Sequence, residues 1–177
     1  MLFLQGGDGA MKKYTRPFIS AYAVITAWAL LPTTASAHHS FALYDRTIQY
    51  VFTGVVDSLN PDPAHLQINF VLLDAERKAL ARDAKGDRIT WTVEMESAGV
   101  SAREGVSVGT YPRGTVFSVG LSPLRSGVRG GVRVGALYRC PEGKAPAAGK
   151  HCDSVTGAIK SENGELATAT AIWIPAP

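Results

Sequence analysis

Apolar and polar residues alternate most regularly from Ile89 to Met95, where Ile89, Trp91, Val93 and Met95 interleave with Thr90, Thr92 and Glu94. A period of two puts each set on its own face, so this stretch predicts a strand with one side in a core. Leu66, Ile68, Phe70 and Leu72 repeat the pattern, with Gln67 and Asn69 on the opposite face. Upstream, residues 48–59 are rich in β-branched side chains and predict a first strand. Gly54 would be a bulge or barrel bend in it, and Asn60-Pro61-Asp62-Pro63 its stop. The charged segment 75–88 predicts an exposed hairpin connection, and 97–105 a short helical turn closed by Gly105. After the turn Tyr111-Pro112-Arg113-Gly114, residues 115–121 predict a fourth strand. A loop containing Gly and Arg fills 122–131, and 132–138 predict a fifth strand. Residues 167–174 predict a last strand, with Trp173 and Ile174 packing back on the others.

Three strands, a short helix and two more strands is the order of a Greek-key barrel of the OB type. The predicted fold class is therefore mainly all-β, a small five- to six-stranded OB-like barrel with one short helix. A small sandwich has similar strand spacing and stays open as an alternative.

The first 37 residues follow another pattern. Lys12, Lys13 and Arg16 precede an apolar run over 18–31, Pro32-Thr33-Thr34 breaks it, and Ala35-Ser36-Ala37 is an Ala-x-Ala cleavage signal. This is the layout of a secretory signal peptide. The run is shorter than the roughly 20 apolar residues that span a bilayer, so cleavage after Ala37 is expected rather than anchoring. Residues 1–10 do not resemble a charged leader start, and Met11 is the expected true start. The expected organisation is a leader over 1–37 and a single β domain over 38–177, soluble in the periplasm and with no membrane span in the mature chain.

Composition changes this picture little. The chain carries a net charge of +3. Most of that lies in the leader, so the mature domain is near neutral and offers no electrostatic case for nucleic acid. Cys140 and Cys152 are the two cysteines, and neither Cys-x-x-Cys nor Cys-x-x-Cys-His occurs. In an oxidising compartment they are expected to form a disulfide that closes a short loop.

Taken together, His38-His39-Ser40-Phe41-Ala42, Asp45, Gly54-Val55-Val56, Asn60-Pro61, Trp91, Glu94, Pro123 and Gly127 form a recognisable set. They resemble an uncharacterised family of exported bacterial proteins, a domain of unknown function that starts with His-His-Ser-Phe after its signal peptide. The resemblance covers roughly His38 to Tyr138 and implies an exported location and one small β domain, with no activity attached. The family's usual Asn-Pro-His becomes Asn60-Pro61-Asp62-Pro63-Ala64-His65 here, which displaces the histidine by an insertion. The Cys140–Cys152 loop and the tail after it look like additions to the family's core.

The sharpest candidate chemistry is at the new N-terminus. A terminal histidine offers its α-amino and ring nitrogens as a chelate suited to Cu(II), Ni(II) or Zn(II), with copper favoured. The amine, with a pKa near ~7.7–8.0, loses its proton at little cost at neutral pH. His38 is thus the candidate ligand, with His39, His65 and His151 as possible co-ligands and Asp45 as a possible oxygen ligand or turn cap. A cut one residue earlier would place His39 third, in a square-planar amide site, but would set Ser36 and Thr34 at the recognition positions. Paired histidines also occur as ordinary solvated chain ends.

A second candidate is anion binding. Arg103, Arg113, Arg125, Arg129, Arg133 and Arg139 share a segment in which only Glu104 opposes them. Gathered on one face, chiefly as Arg113, Arg125, Arg129 and Arg133, they would attract a carboxylate, phosphate or acidic saccharide. Tyr111 and Tyr138 are aromatics that could stack on such a ligand. Glu94 and Glu96 share a strand face, as paired catalytic carboxylates do, but no nucleophile or oxyanion donor accompanies them. Ser40 and His39 are sequence neighbours and do not make a catalytic couple. The function expected is therefore non-catalytic binding or an accessory role, whose partner is a metal ion, a small ligand or an envelope protein.

Overall fold

The structure is a computed structural model, and it describes residues 41–174. The expected leader over 1–37, and His38 and His39, lie outside those residues. Strands β1 (Tyr50–Pro61), β2 (Leu66–Leu72) and β3 (Thr90–Glu94) run as an antiparallel meander. Helix α1 (Ala98–Arg103) follows, capped by Ser97, whose Oγ accepts from Val100 N–H at 3.4 Å. Strand β4 (Val116–Pro123) returns to the free side of β1, and β5 (Gly130–Arg139) pairs antiparallel with β4. Parallel pairing of Thr92–Glu94 with Gly130–Val132 joins β3 to β5 and closes the barrel. Closure with this connectivity is that of an OB-type Greek-key barrel, so the sandwich alternative falls away.

The alternating stretches face as their period requires. Ile68, Phe70, Trp91 and Val93 are buried, and so are Phe117, Val119, Leu121 and Leu137 from the far wall. Phe70 meets Phe117 edge-on at 5.2 Å between centroids, and Phe117 meets Tyr111 at 5.8 Å. Each such side chain contributes about 1.5–3 kcal/mol by leaving water. The backbone of Gly54 passes so near β2 that a Cβ there would lie 2.7 Å from both Phe70 Cδ2 and Val71 O. Close approach is therefore its role, and the register irregularity of β1 falls between Val56 and Ser58 instead.

Three further expectations need correction. The last strand is β6 (Ile159–Leu166), which pairs with the Gly135–Arg139 half of β5, and not 167–174. Trp173 does pack back, edge-on to Trp91 at 5.4 Å and to Phe52 at 6.3 Å, but Ile174 is 77% exposed. Segment 75–88 is more than an exposed hairpin connection, because it folds back onto the sheet through bridges Leu73–Leu80 and Arg82–Arg88. Its Ala81 N–H donates to Leu72 O and its Ala81 O accepts from Ile89 N–H. The disulfide Cys140–Cys152 is present, and no helix among the described residues is long and apolar enough to cross a membrane.

Candidate functional site

With Leu66, Ile68, Phe70 and Leu72 of β2 and Trp91 and Val93 of β3 in the core, the opposite faces of the two strands form a polar outer surface. Ser58, Asn69 and Thr92 are in register across β1, β2 and β3. Thr92 Oγ1 donates to Asn69 Oδ1 at 2.6 Å, and Asn69 Nδ2 donates to Ser58 Oγ at 3.1 Å. One pair further along stand Asn60, Gln67 and Glu94. OB-type barrels bind their ligands on this β2–β3 surface.

Glu94 is where distant segments meet. The chain enters beside β4, with Tyr44 bridged to Leu124, Asp45 N–H donating to Pro123 O and Arg125 N–H donating to Leu43 O. Asp45 caps the turn that follows, its Oδ1 accepting from Thr47 N–H at 3.1 Å and Thr47 Oγ1 at 2.6 Å. Tyr44 is buried beside Glu94; burial first, and then the carboxylate's charge, push its phenol up to about 12. On the other side His65 Nδ1 lies 3.7 Å from Glu94 Oε1. Asp62 sets the approach to His65 by accepting from Ala64 N–H and His65 N–H. At 3.7 Å the Glu94 carboxylate and the ring are in electrostatic contact but beyond hydrogen-bond reach.

His151 occupies a different place. Its Nδ1 is 2.8 Å from Thr53 Oγ1, which is 2.7 Å from Ser118 Oγ, which in turn accepts from Cys152 N–H. Burial, followed by the charge of Arg77, holds the ring below the ordinary histidine pKa. Thr53 sits beside the Gly54–Leu72 pair, whereas His65 precedes the Pro61–Leu66 pair. The span from Leu66 to Leu72 along an extended strand is about 20 Å, so the fold does not bring His65 and His151 together. Among the described residues, no group of three or more His, Cys, Asp or Glu side chains is arranged to hold a metal ion.

The arginines are dispersed as well. Arg113 pairs with Asp57 at 2.9 Å, Arg125 approaches Asp45 and Arg129 approaches Asp83 at 3.9 Å each, and Arg133 grips both oxygens of Glu96. Arg113 precedes β4 and Arg125 follows it, so these two stand at opposite ends of that strand. Arg133 also lies 3.2 Å from the buried Glu162. Burial first, and then the neighbouring Glu104 carboxylate, push the Glu162 carboxyl up to about 8 against the pull of Arg133. Glu96 thus belongs to Arg133 while Glu94 belongs to Tyr44 and His65, and the two carboxylates do not face a common centre. Tyr44 and the Thr53–Ser118 pair escape sequence reasoning. A threonine set inside the apolar run of β1 is the only signal of the latter.

Residues 27–133 match a family model described as Family of unknown function (DUF6152). No curated protein and no solved structure matches the chain. The match takes in Tyr44, His65 and Glu94 and ends within β5, leaving the disulfide loop and β6 beyond it. Spanning more than half of the sequence, it makes this chain a member of that family of unknown function.

Proposed function

We propose that the protein is exported, is cut after Ala37, and serves in the periplasm as a non-catalytic binding domain whose new N-terminus holds a transition metal, copper first. In this reading His38 supplies its amine and imidazole nitrogens, and His65, beside Glu94, supplies a further nitrogen; His39 is the adjacent alternative. The observation that carries it is the meeting of Tyr44, Glu94 and His65 on one outer face. His38 precedes Tyr44 by six residues. That length of chain extends at most about 20 Å, and His65 must lie inside that reach for the site to form. His151 is engaged with Thr53 and is not part of this reading. The Cys140–Cys152 disulfide supports an oxidising compartment.

The test is a Cu(II) titration followed by EPR on protein whose N-terminal residue has been sequenced as His38, beside a form with one extra residue before it. Tight binding with nitrogen hyperfine structure is expected in the processed form alone. It should weaken at least about tenfold in His65→Ala and stay unchanged in His151→Ala. Equal affinity in processed and extended forms would sink the proposal.

A further inference from the structure

The other ends of β4 and β5 border a cleft of about 490 Å³, within the size range of small-ligand sites. Its walls come from the turn before β4, the first residue of β4, the end of β5 and the start of β6. Arg113, Arg139, Val116, Pro141, Glu142 and Ile159 are among its lining residues. Ile159 is 49% exposed there, which leaves an apolar wall open to water.

Arg139 differs from the arginines described above. Its Nη1 donates to Thr110 O at 2.7 Å, and its guanidinium lies over the Tyr111 ring, 6.0 Å from the centroid. These contacts fix its direction without neutralising it. Among the described residues no carboxylate stands within ion-pair distance of it. A planar guanidinium held in this way is preorganised for a carboxylate. Arg113, the other cation of the lining, is already paired with Asp57, so Arg139 is the charge left to meet a ligand. A single such guanidinium suits one negative charge rather than a polyanion.

We infer that this cleft binds a small monoanionic carboxylate with a short apolar body, the carboxylate on Arg139 and the apolar part against Val116, Pro141 and Ile159. The site is independent of the metal reading, since it uses neither His38 nor His65.

Phenylbutyrate and its uncharged amide are the probes, titrated into the oxidised, isotope-labelled protein and followed by amide chemical shifts. Saturable shifts at Arg139, Gly143 and Ile159 are expected with the acid and not with the amide. Affinity should fall at least about tenfold in Arg139→Gln and be kept in Arg129→Gln, which lies outside the cleft. Absence of saturation at about 10 mM, or equal binding of acid and amide, would overturn the inference. So would undiminished binding in a folded Arg139→Gln. The comparison of acid with amide on the unaltered protein decides the matter even where Arg139→Gln does not fold.

Discussion

Across 98 residues of chain, His151 Nδ1 stands 2.8 Å from Thr53 Oγ1 and ties the disulfide loop to the first strand of the barrel. Thr53 and Ser118 are both buried, and Ser118 takes its further hydrogen bond from Cys152 N–H. Two wall hydroxyls thus depend on a loop that lies beyond the part of the chain matched to the family.

Removing the disulfide should therefore cost more than loop entropy alone. The Cys140→Ser, Cys152→Ser double variant is expected to lose about 3 kcal/mol from the freed unfolded chain, and more if the hydroxyl pair is left unsatisfied. His151→Ala, with the disulfide kept, should lose about 1 kcal/mol. Urea unfolding of the three proteins measures both terms.

The depressed His151 pKa adds a pH signature. The folded state favours the neutral ring, so this contribution is whole above the ordinary histidine pKa. It is lost as pH falls through that value toward the lower folded one. Urea midpoints taken across mildly acidic pH should fall less steeply in His151→Ala than in the parent protein.

Glu162 has the opposite sign. Its carboxyl, pushed up to about 8, lies above the ordinary glutamate value, so the folded state holds a proton that the unfolded state releases. Stability from this group is complete below the lower value and is lost as pH rises through the upper one. Glu162→Gln should remove that slope and leave the variant more stable than the parent at alkaline pH, as read from thermal midpoints against pH. An unchanged slope would show that Glu162 does not carry the proton.

Trp173 closes an aromatic group of Phe52, Trp91 and Tyr50. Being only partly buried, it should lose less on truncation than a core tryptophan, about 2 kcal/mol in Trp173→Ala. The accompanying change in Trp91 fluorescence would separate lost packing from a remote effect.

At Gly54 the prediction is steric. An added methyl group would meet Val71 O and Phe70 within 2.7 Å, and the backbone carbonyl cannot rotate away. Gly54→Ala should cost about 1–3 kcal/mol, as overpacking does, and should broaden or shift the amide resonances of β2.

The barrel was readable from sequence because β3, and β2 before Val71, alternate with the period of two of a half-buried strand. The last strand was not, since Ile159–Leu166 has no such period and includes Glu162 at φ 69° and Gly164 at φ 90°. Backbone pairing with β5 places it in the sheet, and no side-chain pattern announces that. Trp173, which suggested a strand by its apolar neighbours, packs from an irregular tail instead. The disulfide followed from the cysteine inventory and the expected compartment. The neighbourhood of His65 was hidden for another reason: Tyr44 reaches Glu94 only because its backbone bridges to Leu124, and no local rule relates those positions. The scatter of the arginines likewise depends on which acid the fold sets beside each.

The pairing of β5 has a further consequence. β3 covers it only over Gly130–Val132, and β6 covers the stretch from Gly135 to Arg139. On the side away from β4, half of the barrel's closing strand thus owes its hydrogen-bond partners to residues that lie after the matched family region. Were those residues absent, that half-strand would be a bare sheet edge, open to the same strand of a second molecule. The segment after Arg139 is in this sense a guard on solitude: it decides whether the barrel stays by itself, apart from anything the barrel binds.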